Sequence, residues 1–241
     1  MKPTVAPPTP YYEDDLVTLY HGDCREILPH LDLSVDLLAT DPPYGLDIGY
    51  GRTALGTRRI EGDADDALLV GILEDCDHLM AANSWASVFC KYTHSGKVQE
   101  AAGVAGWKVK TVIVWDKAMP SLGEGIRNQH ELAVLAKRGK PLETFSGGNV
   151  WRITRERGRP EHPHMKPQAL MSRLVGYYSP PNGVVLDPFA GSGSTLVAAS
   201  MLGRKAVGIE FSEAYCELIV RRLGQPSLNF GETGACGEVG A

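Results

Sequence analysis

Short apolar runs alternate with segments of helical periodicity along most of the chain. The runs VDLLAT, GVVLD and KAVGIE are typical of buried strands, and a helix-period segment follows each of them. This alternation predicts an α/β fold in which a mostly parallel sheet carries helices on both faces. Ligands bind to such sheets beyond the carboxyl ends of the strands, so the residues that follow the strands are the first candidates for a site.

The composition is that of a globular protein. The chain has 241 residues, of which 43% are hydrophobic, and no apolar run approaches the roughly 20 residues needed to span a bilayer. Its five cysteines are scattered, with no pair at metal-ligand spacing, so we expect free thiols, no metal and a cytoplasmic location. We predict one domain over residues 16–223, between flexible tails at 1–15 and 224–241.

Charge does not by itself indicate a nucleic-acid partner, because the formal net charge is −5. Two local clusters of basic residues are the exception. They lie near 45–62 and 118–160, which we predict to be small recognition insertions that could contact phosphates: Arg52, Arg58 and Arg59 in the first, and Arg152, Arg155, Arg157 and Arg159 in the second.

The segment VVLDPFAGSGSTLVAA joins a strand to a helix through a turn that contains Gly191 and Gly193. Glycines let a ligand approach the backbone, and a helix start offers free amide donors. No lysine follows Gly193, which disfavours a P-loop, and Leu196 occupies the third glycine position of a dinucleotide motif. Glu210 follows Gly191 by nineteen residues, at the end of the next strand. That spacing is close to the one at which an acid meets ribose hydroxyls, so we predict an adenosine-type cofactor.

The segment Asp41-Pro42-Pro43-Tyr44 ends another buried strand. A carboxylate there can accept a hydrogen bond from an NH₂ group and later take its proton, and a proline carbonyl is a rigid second acceptor. Tyr44 offers a flat ring on which an extruded base can stack. The four residues therefore predict a grip on the exocyclic amine of a base.

Together, DPPY and DPFAGSGS resemble the S-adenosylmethionine-dependent amino-methyltransferases of DNA, which modify N6 of adenine or N4 of cytosine. The resemblance extends from about Leu16 to Leu223, and the motif order is similar to the circularly permuted beta group of that family. It implies a Rossmann-like methyltransferase fold with a seven-stranded sheet, DNA as the substrate and a homodimer. Restriction-modification is one biological setting that it implies.

The resemblance assigns roles position by position. The residues that it places at the methionine part of the cofactor are Asp187, Phe189, Ala190, Gly191, Gly193, Ser194 and Thr195. It places the ribose at Glu210, and the adenine near Phe211, Asp23 and Cys24. Lys166 and Pro167 match the Lys-Pro pair that reaches the cofactor. In many members this pair ends the sequence HPTQKP, from which His164 and Met165 depart. Asp41, Pro42, Pro43 and Tyr44 would hold the target base.

Several activities compete with this assignment. Methylation at cytosine C5 is excluded because it uses a thiol that usually follows a proline, and no cysteine here does. SPPY is more typical of cytosine-N4 enzymes and NPPY of several RNA methylases, so Asp41 favours adenine N6 in DNA. Cytosine N4, an RNA substrate and a non-catalytic DNA-binding relic remain the alternatives.

Overall fold

The computed structural model describes residues 8–43, 67–120, 124–154 and 165–225. In this part of the chain it contains strands and α-helices in the following order: β1 Tyr12–Glu13, β2 Val17–His21, α1 Cys24–Ile27, β3 Val35–Thr40, α2 Ala67–Asp75, β4 Met80–Cys90, α3 Ser95–Val104, β5 Lys108–Asp116, β6 His130–Arg138, β7 Val150–Arg152, α4 Gln168–Tyr178, β8 Val184–Asp187, α5 Ser194–Met201, β9 Lys205–Glu210 and α6 Glu213–Leu223.

All of these strands form one sheet with the order β1-β2-β9-β8-β3-β4-β6-β5-β7. The pairs β2–β9, β9–β8, β8–β3, β3–β4 and β5–β7 are parallel, which confirms the predicted mostly parallel sheet. Seven of these strands correspond to the predicted seven-stranded sheet: β2, β9, β8, β3, β4, β6 and β5. The short strands β1 and β7 extend the sheet at its two edges. β6 lies within the stretch 118–160 and pairs antiparallel with both β4 and β5.

Helices cover both faces of the sheet, as the alternation predicts. Side chains of α4, α5 and α6 share one buried cluster, and those of α1, α2 and α3 share the other. The strand β4 shows why two faces form, since Trp85 and Phe89 point into the first cluster and Val88 and Cys90 into the second. The longest described helices have eleven residues, and none of the described helices is long and apolar enough to cross a membrane.

The structure differs from the sequence prediction after α2. Apolar spacing predicts a helix over Asp66–Ala81, but α2 ends at Asp75 and a 3-10 turn occupies Asp77–Leu79. Met80 already belongs to β4, where it pairs with Val35 of β3. The parallel pairing of the two strands therefore overrides the local helical periodicity, as tertiary contacts commonly do.

The topology brings two distant segments together. β3 and β8 are parallel neighbours with Leu38 opposite Leu186, so both strands end at the same edge of the sheet. Asp41 follows β3, and the glycine turn follows Asp187 at the end of β8. β9 lies on the other side of β8 and ends at Glu210. The three strand ends therefore define one edge, at which Asp41, the glycine turn and Glu210 lie.

Packing between α5 and β9 supports this edge and can be tested by mutation. A Cβ at Gly208 would lie 2.5 Å from Cδ1 of Leu196, which is fully buried. We expect Gly208→Ala to lower the free energy of unfolding by about 1–3 kcal/mol, because the packed leucine must move. Gly103→Ala is the matched control, since nothing lies within 4 Å of the added methyl group. Urea denaturation measures both, and equal stabilities for the two variants would contradict this packing.

Candidate active site

The ends of β3 and β8 are joined by a buried hydrogen bond. The Thr40 hydroxyl donates to Oδ1 of Asp187 at 3.0 Å, and the Thr195 hydroxyl donates to Oδ2 at 2.6 Å. Burial raises the pKa of Asp187 to about 6, although both hydroxyls and the Phe189 amide oppose the shift. Asp187 therefore connects the strand that leads to Asp41 with the helix that follows the glycine turn.

The glycine turn occupies 188–193, between β8 and α5. Gly191 has a φ of 53° and Gly193 a φ of 75°, in the left-handed region that favours glycine. A Cβ at Gly193 would also lie 2.7 Å from Cγ1 of Ile219 in α6. The Gly193 amide donates to the Ala190 carbonyl at 2.7 Å, and the Ala190 amide donates to the Ile209 carbonyl at 2.9 Å. Both the backbone conformation and the packing therefore require glycine at 193.

Glu210 meets the glycine turn in space, as their spacing in the sequence predicts. Its Oε2 accepts from the Gly191 amide at 2.7 Å, and Oε1 accepts from the Ser212 amide at 2.8 Å. Burial raises the pKa of Glu210 from its ordinary value of 4.5 to about 7, against the lowering effect of these amides. The bond from Ser212 also links Glu210 to α6, because Ser212 is the residue that precedes the helix at its amino end.

The surroundings of Glu210 fit a nucleoside. Phe211 follows directly and its side chain is 59% exposed, so its ring is available for contact with a base. The Gly22 amide donates to the Glu210 carbonyl at 3.0 Å, which brings the segment with Asp23 beside β9. A carboxylate for hydroxyl groups, an exposed aromatic ring and the start of α5 together match the donor and acceptor groups of an adenosine-type cofactor.

Asp23 and Cys24 have structural roles of their own. Asp23 caps α1, accepting from the Arg25 amide at 2.9 Å, and its carboxylate pairs with the Arg25 guanidinium at 2.5 Å. Cys24 is buried in the cluster beneath α1, and burial raises the pKa of its thiol to about 12. The predicted contact of these two residues with the adenine edge stays a prediction.

Lys166 connects the two halves of the site. Its ammonium binds the carboxylate of Asp41, and its carbonyl accepts from the Ser194 hydroxyl at 2.9 Å. Pro167 is buried just before α4, where its carbonyl accepts from the Leu170 amide at 3.0 Å. The Lys-Pro pair of the sequence motif therefore bridges the DPP segment after β3 and the helix after the glycine turn.

Two charged residues of the site have no role in the sequence analysis. Glu131, at the start of β6, binds the Lys166 ammonium through Oε2 at 3.1 Å and Lys117 through Oε1 at 2.5 Å. Burial would raise the pKa of Glu131, but the two ammonium groups outweigh it and hold the value at about 2. In the sequence, Glu131 is only a charged residue near the start of the apolar strand in RNQHELAVLAKRGK. Its place in the site follows from the antiparallel pairing of β6, which brings the start of this strand to the site edge.

The predicted DNA-binding residues fall mostly outside the described part of the chain. Arg152 is described: it ends β7 at the site edge, its side chain is 73% exposed, and its Nε lies 3.8 Å from Oδ2 of Asp116. Pro42 and Pro43 follow Asp41 as the prediction requires. The predicted site residues outside the described ranges are Tyr44, Arg52, Arg58, Arg59, Arg155, Arg157 and Arg159.

This chain is similar to known proteins over most of its length. YubD of Escherichia coli (strain K12) is 32% identical over 216 residues, covering 86% of this chain and 88% of that protein. The type II methyltransferase M2.LlaDCHI of Lactococcus lactis subsp. cremoris is 26% identical, covering 89% and 91%. The crystal structure of an M1.HpyAVI–SAM complex superposes with a TM-score of 0.72 at 25% identity, covering 87% of this chain and 100% of that one.

The family itself is given by a model whose description is DNA methylase and which covers N6 and N4 methyltransferases. It matches residues 35–221, a range that includes Asp41, the glycine turn and Glu210. The resemblance and the Rossmann-like methyltransferase fold predicted from the sequence are confirmed by this match and by the superposition. The chain belongs to the DNA methylase family.

Proposed function

We propose that this protein transfers a methyl group from S-adenosylmethionine to N6 of an adenine that is flipped out of duplex DNA. The observation that carries the proposal is the junction of β3 and β8. There the acid of the DPP segment and the glycine turn lie at one edge, joined by the Thr40–Asp187 hydrogen bond and by Lys166. One side of this junction suits an amine, and the other suits an adenosine-type cofactor.

The cofactor assignment rests on the residues around Glu210. We assign the ribose hydroxyls to Glu210, the adenine to the neighbourhood of Phe211 and the methionine part to the turn between β8 and α5. When bound, S-adenosylmethionine supplies an electrophilic methyl group on a sulfonium whose departure leaves a neutral thioether. The M1.HpyAVI–SAM complex supports the choice, because this chain aligns with all of that protein.

The chemistry at the amine follows from the groups after β3. The lone pair of an exocyclic amine is delocalised into the ring, so the nitrogen is a poor nucleophile. The Asp41 carboxylate and the carbonyl of Pro42 or Pro43 would each accept one N–H, which aligns the hydrogens and favours a tetrahedral nitrogen. The nitrogen would then form its bond to the methyl carbon while the electron pair of the broken bond remains on sulfur. The surplus N–H proton would pass to Asp41 and then to solvent.

Adenine is our choice of base because the tetrapeptide begins with aspartate. Members that methylate cytosine N4 more typically have serine at this position, so the aspartate at position 41 favours adenine N6. The type II methyltransferase of Lactococcus lactis supports a restriction-modification setting. The proposal also includes a cytoplasmic location and a homodimer; sedimentation velocity of the purified protein tests the second of these.

The first experiment identifies the product. Methylation-free plasmid DNA is incubated with the protein and S-adenosylmethionine, digested to nucleosides and analysed by mass spectrometry. We expect N6-methyladenosine in its deoxy form. Detection of N4-methyldeoxycytidine would show that the target base is cytosine and not adenine. Methylation of RNA alone would show that the substrate is RNA, and no transfer to DNA, RNA or protein would favour a non-catalytic relic.

The second experiment tests Asp41. We expect Asp41→Ala to lower kcat by about 10²–10⁴-fold, the range that a positioned acid–base group contributes. Asp41→Asn should retain part of the activity, because its amide oxygen still accepts a hydrogen bond from the amine. Calorimetric titration with S-adenosylmethionine is the control and should give an unchanged affinity in both variants. Near-normal turnover by Asp41→Ala would refute the assigned role.

The third experiment tests Glu210 through pH. A carboxylate that accepts from ribose hydroxyls favours the ionised form, so the cofactor should bind the protonated protein poorly. With a pKa of about 7 in the free protein, affinity should fall as the pH decreases below 7, approaching tenfold per pH unit. Calorimetry between pH 6 and 8 measures it, and Glu210→Gln should bind more weakly with a flatter profile. Equal slopes for the two proteins would contradict the assignment.

A further inference from the structure

Four charged side chains from four segments form a connected array beside the site. In order they are Asp41 after β3, Lys166 before α4, Glu131 at the start of β6 and Lys117 after β5. The two lysine side chains are only 10% and 7% exposed, and the two carboxylates are each 24% exposed. Charges alternate along the array and sum to zero, which is how largely buried ions are tolerated.

The array raises a conflict at Asp41. The proposed function requires this carboxylate to accept a hydrogen bond from the target amine, yet in the structure the Lys166 ammonium already binds it. The ammonium holds Oδ2 of Asp41, and an exocyclic amine, which is also a nitrogen donor, competes with it for that oxygen. Lys166 cannot simply leave, because a largely buried ammonium without a carboxylate is strongly disfavoured.

The second half of the array offers a solution. Glu131 already lies 3.1 Å from the Lys166 nitrogen and is held by Lys117 through its other oxygen at 2.5 Å. The Lys166 nitrogen also lies 4.9 Å from the centre of the Phe89 ring, whose face attracts a cation. The flexible lysine stem can therefore withdraw from Asp41 and keep both a carboxylate and an aromatic ring as partners.

We propose that Lys166 stands in for the target amine on Asp41 and withdraws onto Glu131 when the base enters, with Glu131 and Lys117 as positioning residues. The inference rests on the proposed function, in which Asp41 holds the amine. Without the base, the ammonium satisfies the carboxylate; with the base, Glu131 retains the ammonium. The exchange leaves the number of charges in the site unchanged.

The chain contains a matched control for this array. Glu143 also bridges two lysines, Lys110 at 3.3 Å and Lys137 at 2.5 Å, but it is 41% exposed and pairs with β5 and β6 lysines away from Asp41. If Glu131 only stabilised the fold, Glu131→Gln and Glu143→Gln would differ only in their free energies of unfolding. The proposed exchange requires a difference in the recognition of the amine.

The test compares duplexes that carry either the target base or the same base without its exocyclic amine, at the site mapped by the product analysis. The protein is saturated with S-adenosylhomocysteine, and binding is measured by fluorescence anisotropy. We expect Glu131→Gln to reduce the preference for the amine-bearing duplex about tenfold, because Lys166 then retains only Asp41 among the carboxylates described near it. Glu143→Gln should keep the wild-type preference, and Glu131→Gln combined with Lys166→Met should regain most of it.

Two outcomes overturn the proposal: a Glu131→Gln variant that keeps the preference, or a double variant that does not regain it. A second readout is independent of DNA. In protein labelled with ¹⁵N-lysine, the Lys166 ammonium signal is identified by its loss in Lys166→Met. It should change in Glu131→Gln and stay unchanged in Glu143→Gln. If the wild type methylates no DNA, the proposed function fails. An unchanged Lys166 signal in Glu131→Gln would separately refute the pairing of Lys166 with Glu131.

Discussion

The hydrogen bond between Thr40 and Asp187 is the contact on which the site depends. It joins residues 147 positions apart, at the ends of two parallel strands that lie side by side in the sheet. A carboxylate as buried as Asp187 is unfavourable unless it is hydrogen-bonded, and the Thr40 and Thr195 hydroxyls and the Phe189 amide supply those bonds. The same bonds fix the DPP segment relative to the glycine turn.

The acids of the site divide into two electrostatic classes. Asp187 and Glu210 are surrounded by uncharged donors, so burial raises the pKa of each. Glu131 has two ammonium partners, and its pKa is held low in spite of its burial; Asp41 shares one of those ammonium groups. The first class lies at the proposed cofactor side and the second at the proposed base side. Uncharged donors therefore contact the acids on the cofactor side, and ammonium groups contact those on the base side.

Much of this arrangement was predictable from the sequence. The alternation of strands and helices predicts the mostly parallel sheet. The nineteen-residue separation of Gly191 and Glu210 predicts that they belong to one site, and in the structure the Gly191 amide donates to Oε2 of Glu210 at 2.7 Å. Both signals are local or depend on one βαβ unit. Glu131 and Lys117 were not predictable, because an antiparallel β6 between β4 and β5 brings the start of that strand to the site edge. The end of α2 was missed because pairing of Met80 with Val35 outweighs helical spacing.

A structure of the protein with bound S-adenosylmethionine would test the central claim most directly. We predict that the ribose hydroxyls contact Glu210 and that the sulfonium methyl faces Asp41 across the junction of β3 and β8. A cofactor bound elsewhere, or one whose methyl group points away from Asp41, would contradict it. That result would leave the two strand ends as neighbours in the fold without a shared reaction.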